Sequence, residues 1–149
     1  VASIRGWWTS CGRKLYPKAK KLFITADAGG SNGTRLRLWK WELQRLADET
    51  KMPIMVSHFP PGTSKWNKVE HRFFSFISQN WKGEPLINYE TIVQLIAATK
   101  TAAGLRVKCK PDKRKYKPGK IVTDEQMESI QIKRNVFHGD WNYEILPRA

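Results

Sequence analysis

Two carboxylates in this chain stand where hard-metal chemistry would place them. Asp27 ends the β-prone run Leu22-Phe23-Ile24-Thr25-Ala26 and is followed at once by Ala28-Gly29-Gly30-Ser31-Asn32-Gly33. A carboxylate at the carboxyl end of a strand, beside a glycine-rich turn, occupies the position at which α/β sheets hold ligands. The glycines let a phosphate or metal ion approach the backbone, and the helix after Gly33 offers free N–H groups. The plainer alternative is an Asp that closes its own turn through its side chain. No Lys-Ser or Lys-Thr follows the glycines, so the run is not a nucleotide-binding P-loop. Glu70 is the second candidate. On a helix expected over 64–81, Asn67, Glu70 and Phe74 share a face by their i, i+3 and i+7 spacing. Val69 and Phe73 lie beside that face, so the carboxylate is expected to be desolvated on one side, which suits a metal ligand. The alternative is an ordinary surface acid. His71 follows Glu70 and could contact a substrate there, although a lone histidine is more often a surface residue.

Apolar spacing names the elements that must hold these residues. Ile4, Trp7, Trp8, Cys11 and Leu15 fit one helical face over 3–15, closed by Pro17. The strand ending at Asp27 comes next. Thr34 to Thr50 is helical by period, with Leu36, Trp39, Leu43 and Leu46 as its buried stripe. Ile54-Met55-Val56-Ser57 reads as a second strand. His58-Phe59-Pro60-Pro61-Gly62-Thr63 reads as a loop, because two prolines and a glycine interrupt it. Ser64 is the expected cap of the third helix, whose apolar positions include Trp66, Val69, Phe73, Phe74, Ile77 and Trp81. A fourth helix is expected near Asn88 to Ala103. Thr123 with Gln126 forms a capping-box pattern for a short helix, and Val136 to Leu146 reads as turns and a strand. By the same helical spacing, Trp7, Trp8, Trp39 and Trp66 are expected mostly in the core. Strand–helix–strand–helix order argues for an α/β fold with a partly parallel sheet.

The chain has 149 residues, 40% of them hydrophobic, enough for one domain with a real core. Its 27 Lys and Arg against 13 Asp and Glu leave a formal charge of +14, which points to a polyanionic partner. The densest cluster is Lys108, Lys110, Lys113, Arg114, Lys115, Lys117 and Lys120, for which a solvated loop is the plain alternative. No apolar run is long enough for a membrane span, and Trp7, Trp8, Arg13 and Lys14 break up any signal-like start. Cys11 and Cys109 make no disulfide framework, so a reducing cytoplasm is the expectation.

The stretch His58-Phe59-Pro60-Pro61-Gly62-Thr63-Ser64-Lys65-Trp66-Asn67-Lys68-Val69-Glu70-His71-Arg72-Phe73-Phe74 resembles a DDE transposase, with a proline-containing loop, then Asn, a two-residue spacer and Glu. Upstream, Thr25 to Gly33, then Leu38-Trp39-Lys40 and Leu43-Gln44, resembles the Rhodopirellula-type family of these enzymes. The resemblance runs from about Trp7 to Leu105, with a weaker echo in Gly139-Asp140-Trp141-Asn142-Tyr143. Ala28 departs from it, standing where a third glycine is expected.

The resemblance implies an RNase H-like (ribonuclease H/integrase-type) three-layer α/β fold in which three acids bind two Mg²⁺ or Mn²⁺ ions. Asp27 would be the second acid and Glu70 the third, with Asn67 and His71 supporting. The first acid belongs upstream, and Glu42, Asp48 and Glu49 offer no substitute, so this chain, opening at Val1, is expected to lack it together with the first strands of the sheet. On that expectation it would bind metal weakly and turn over little alone. The implied partner is double-stranded DNA, transposon ends and target, contacted by Lys65, Lys68, Arg72 and the cluster from Lys108 to Lys120. A bacterial cytoplasmic, nucleoid-associated homo-oligomer follows from the same resemblance. The expected division is 1–107 for the catalytic part, 108–120 for a basic loop, and 121–149 for an extension packed on the same domain. The strand ending at Asp27 should keep an unpaired edge, available for self-association or covered by 136–146. The competing readings are a non-catalytic DNA-binding or assembly module and a related RNase H-fold nuclease such as a junction resolvase.

Overall fold

A computed structural model describes residues 1–117 and 119–149, apart from the side chain of Ser64. Two compact units emerge: residues 1–64 with 119–149, and Lys65–Lys117.

The first unit is built on a four-stranded mixed sheet in the order β1-β2-β4-β3, formed by β1 (Leu22–Asp27), β2 (Ile54–Phe59), β3 (Ile132–Arg134) and β4 (Asn142–Ile145). β1 runs parallel to β2, from Leu22 opposite Ile54 to Asp27 opposite Phe59. β4 is antiparallel to both β2 and β3. β2 is therefore central, and Ile54, Val56 and His58 alternate as its buried positions, the period of a strand packed on one face. That alternation corrects the expectation of a loop at His58-Phe59: the strand runs on to Phe59. β3 has no counterpart in the sequence reading, because Ile132-Lys133-Arg134 is too short and too charged to register as a strand.

Helix α3 (Arg37–Thr50) covers the sheet with Trp39, Leu43, Leu46 and Ala47, which pack with Ile54, Val56, Ile130, Tyr143 and Ile145. Each fully buried aliphatic side chain here contributes about 2 kcal/mol of transfer free energy. Leu36 does not belong to the stripe. It caps the helix with extended backbone and is 41% exposed. The N-terminal segment is helical as expected, but in three pieces: α1 (Ala2–Trp7), a π-helical turn (Trp8–Gly12) and α2 (Arg13–Leu15). Gly12 is buried beneath the indoles, where a Cβ would lie 2.8 Å from the Trp8 ring. Of the four tryptophans expected in the core, Trp39 is buried, Trp8 is half-buried, and Trp7 and Trp66 are 41% and 55% exposed. Trp7 instead tilts its ring against Trp8 and Tyr16.

The C-terminal segment joins the sheet beside β2 and does not pair with the outer edge of β1, contrary to the expectation that 136–146 covers that edge. Helix α6 (Asp124–Glu128) begins with the expected capping box, Thr123 and Gln126 bonding reciprocally. An ion pair then ties the chain end to α3. The Arg148 guanidinium reaches Asp48 at 2.6 Å, and the Arg148 N–H donates to the same carboxylate at 2.8 Å. Burial pushes the Asp48 carboxyl up, but the Arg148 side-chain and backbone bonds, with that from Gln44, outweigh it and leave the pKa below its ordinary 3.8. A depressed folded-state pKa contributes stability that is complete above the unfolded value and is lost as pH falls through the folded one. Urea denaturation should therefore show Arg148→Met less stable than the wild type at pH 7, with the gap closing as pH falls below about 4.

The second unit contains a 3₁₀ turn (Ser64–Trp66) at its boundary, α4 (Lys68–Asn80) and α5 (Tyr89–Ala97). Asn67 caps α4, its side chain accepting the Glu70 N–H, while the expected Ser64 cap rests on a side chain outside those described. Helix α5 starts at its expected cap Asn88 but stops at Ala97 instead of continuing to Ala103. Thr99, buried, hands the chain into an isolated bridge between Lys100 and Arg106, with Gly104 (φ 94°) turning the loop between them. Described residues of 108–117 form no helix or strand. No helix among the described residues is long and apolar enough to cross a membrane.

Candidate active site

Asp27 is the last residue of β1 and is exposed. Its carboxylate makes no hydrogen bond or ion pair among the described residues, so the turn-closing alternative is not what the side chain does. Beyond it the backbone folds tightly: Gly30 takes φ 65°, a 3₁₀ turn spans Gly30–Asn32, and the Gly33 N–H donates to the Gly30 carbonyl at 3.3 Å. Gly33 is needed for close approach, because a Cβ there would lie 3.1 Å from the Ala28 carbonyl oxygen. No side chain caps α3, which begins four residues later.

The Asp27 carbonyl, in contrast, is held from the core. His58 Nδ1 lies 3.1 Å from it, His58 Nε2 lies 3.0 Å from the Tyr143 hydroxyl, and Trp39 Nε1–H donates to that hydroxyl at 2.9 Å. All three side chains are buried. Burial lowers the His58 pKa, Lys40 lowers it further, and the bond to the Asp27 carbonyl only partly opposes them. Burial pushes the Tyr143 phenol up to about 12, so it remains a hydroxyl. Sequence reasoning missed this set because it placed His58 in a loop. The available signal was the alternation Ile54, Val56, His58, a strand period that the prolines after Phe59 obscured.

Glu70 lies in the first turn of α4, where the positive end of the helix dipole favours a carboxylate. Asn67 Nδ2 donates to Glu70 Oε2 at 2.8 Å, and Asn67 Oδ1 accepts the Glu70 N–H at 3.5 Å. The Asn-x-x-Glu spacing is thus a cap that grips its own acid, not two positions along a continuous helical face. Desolvation of Glu70 by neighbouring apolar residues is not found within this unit: Glu70 is exposed, as are Val69 (80%) and Phe74 (51%), and Ile77 is the buried position of α4. His71 is exposed, and its N–H donates to the Asn67 carbonyl.

Asp27 belongs to the first unit, and Glu70, Asn67 and His71 to the second. Among the described residues, no group of three or more His, Cys, Asp or Glu is assembled as a metal cage. The other acids weighed from the sequence are structural. Glu42 meets Arg5, Arg45 and Lys120, Glu49 meets Arg5, and Asp48 meets Arg148. Glu84, Glu90, Glu125 and Glu128 resemble Asp27 and Glu70 in lacking an ion pair among the described residues, but they stand outside the two motifs.

Lys65, Lys68, Arg72, Lys108, Lys110, Lys113, Arg114, Lys115, Lys117 and Lys120 are all exposed. Among the described residues, Arg114 and Lys120 have acidic partners. Arg114 grips Asp112 through two bonds of 2.8 and 2.6 Å, joined by the Tyr116 hydroxyl, which together hold the Asp112 carboxyl well below its usual range. Lys120 reaches Glu42 at 2.7 Å.

A family model described as the Rhodopirellula transposase DDE domain matches residues 1–147. No curated protein and no solved structure matches the chain. The match runs over all but the last two residues and includes both acid-bearing motifs, so the chain belongs to the Rhodopirellula transposase DDE domain family.

Proposed function

We propose that this chain is a catalytic part of a DNA transposase of RNase H-like fold, in which Asp27 and Glu70 are metal-binding acids for phosphodiester cleavage and strand transfer at transposon ends. The observation that carries the reading is the pair itself. In a chain with 27 cationic side chains, both motif acids stay exposed and out of ion pairs while Glu42, Asp48 and Glu49 are paired. Carboxylate oxygens are hard donors, and neither motif places a thiolate beside them, a donor set that fits Mg²⁺ or Mn²⁺. Two such ions supply activation of a water or 3′-hydroxyl and stabilisation of the leaving oxygen.

The chain's own residues have simpler tasks. Asp27 presents two unshared oxygens at the strand end. Asn67 holds Glu70 Oε2, which fixes the carboxylate plane and leaves Oε1 to a ligand. Lys65, Lys68, Arg72 and the basic segment neutralise phosphates and release counterions, the main source of sequence-independent DNA affinity.

Iron-directed scission tests the assignment. Fe²⁺ replaces the hard cation, and with ascorbate and peroxide it cuts the backbone beside its ligands. Cuts near both 27 and 70 are expected, suppressed by excess Mg²⁺, and cuts at neither would overturn the reading. DNA binding has its own check. Converting Lys113, Lys115 and Lys117 to Ala should reduce the slope of log affinity against log salt by about 3 in duplex titrations. An unchanged slope would assign these lysines to solubility alone. Self-association through the free edge of β1 belongs to the same proposal, and a monomer at all concentrations in sedimentation equilibrium would remove it.

A further inference from the structure

We propose that His58 is a positioning residue for Asp27, the last link of a directional hydrogen-bond chain running from Trp39 through Tyr143 to the Asp27 carbonyl. The proposal deepens the metal-binding role of Asp27 and, as regards metal, rests on it.

The direction is forced by donor and acceptor inventory. An indole N–H can only donate, so the Tyr143 oxygen accepts from Trp39 at 2.9 Å. The Asp27 carbonyl oxygen can only accept, so His58 Nδ1, 3.1 Å from it, carries the proton. In the neutral imidazole Nε2 is then bare and accepts the Tyr143 phenol proton at 3.0 Å. Each link has one donor and one acceptor, and no second tautomer satisfies all three bonds.

Its placement suggests what the chain is for. Trp39 comes from α3, Tyr143 from β4 and His58 from β2, and Trp39 and Tyr143 belong to the hydrophobic core. Buried polar chains cost stability relative to an apolar core unless every member is satisfied. This one ends on the backbone of the last residue of β1, where the parallel ladder stops at Asp27 opposite Phe59 and the glycine-rich turn begins. The ladder fixes the chain up to Asp27, and the His58 bond fixes the peptide plane just after it. With both planes held, the Cα–Cβ direction of Asp27 is set, although its carboxylate makes no hydrogen bond or ion pair among the described residues.

Two substitutions separate positioning from packing. His58→Asn places an amide N–H close to the position of Nδ1, so the shorter side chain can still donate to Asp27. His58→Gln places its amide near the Nε2 position, facing Tyr143, and loses that donor. Long-range ¹H–¹⁵N spectra of the wild type should show Nδ1 protonated and Nε2 bare. The Asp27 carbonyl ¹³C resonance should move in His58→Gln and stay in His58→Asn. Mn²⁺ affinity, read from the electron paramagnetic resonance of free Mn²⁺, should fall about tenfold in His58→Gln and recover in His58→Asn, the size expected for removing an outer-shell partner. If His58→Gln does not fold, the wild-type long-range ¹H–¹⁵N spectrum decides alone. A wild-type Nε2–H tautomer, or equal carbonyl shifts in the Gln and Asn variants, would overturn the proposal. Mn²⁺ binding that ignores Asp27→Asn would overturn the metal reading instead, while the tautomer and carbonyl results still decide the hydrogen-bond chain.

Discussion

Asp27→Asn should abolish iron-directed scission at the 27 segment while leaving the melting temperature of the protein in place. The amide is isosteric but uncharged, and loss of a first ligand should weaken Mn²⁺ by more than about 100-fold, beyond the range for outer-shell changes. Stability should change by no more than about 0.5 kcal/mol, as for surface sites without special roles, because the Asp27 carboxylate makes no hydrogen bond or ion pair among the described residues. Glu70→Gln should give the corresponding loss at the 70 segment. Its cap should survive, since the Asn67 oxygen accepts from the Glu70 backbone N–H and not from the side chain. Glu84→Gln changes an acid outside both motifs that has no ion pair among the described residues, so it is the control and should leave the cuts unchanged. Cuts near 27 that survive Asp27→Asn, or cuts near 70 that survive Glu70→Gln, would remove the metal role of that acid.

Gln44→Leu should cost about 4 kcal/mol in urea unfolding at neutral pH, among the largest effects available to a single side chain, from the sum of two orphaned backbone groups. Gln44 is fully buried on α3. Its amide nitrogen donates to the Leu146 carbonyl and to Asp48, both at 2.8 Å, and its oxygen accepts the Gln131 N–H at 2.8 Å. Gln131 and Leu146 are also joined to each other, Leu146 N–H to the Gln131 carbonyl at 2.8 Å. One amide therefore holds together the entrance to β3, the exit from β4 and the Asp48–Arg148 pair. Leucine matches its volume but pairs with none of these groups. Gln44→Glu discriminates further: a carboxylate accepts from Gln131 but cannot donate to Leu146 or share space with Asp48, so it should be no better tolerated. A loss below about 1 kcal/mol for Gln44→Leu would show that water reaches these groups.

The local order of this protein was legible in its sequence wherever a period ran undisturbed. β1 ends at Asp27, α3 stops at Thr50, and Thr123 with Gln126 makes its capping box, because these depend on neighbours a few residues away. The family was legible for a related reason: its two acid motifs are contiguous strings, and a family model recognises them across residues 1–147. Elsewhere local signals competed. Two prolines after Phe59 masked the end of β2, and α4 begins only at Lys68, with Asn67 as its cap. The exposure of Leu36, Trp7 and Trp66 shows that an apolar residue in register is buried only if another element arrives to cover it.

What the tertiary structure alone decided are the bonds across long sequence separations. Nothing near Gln44 announces Gln131 and Leu146, and nothing near His58 announces Tyr143, because strand β4 is brought to β2 by the packing of the whole sheet. Side-chain identity fixes what a group can donate or accept. Which partner it meets is set by hydrophobic burial, which is non-directional and acts on the entire chain. The sequence thus determined that Asp27 and Glu70 are the residues to test, and the fold decided that the backbone of Asp27 is held from the core by His58.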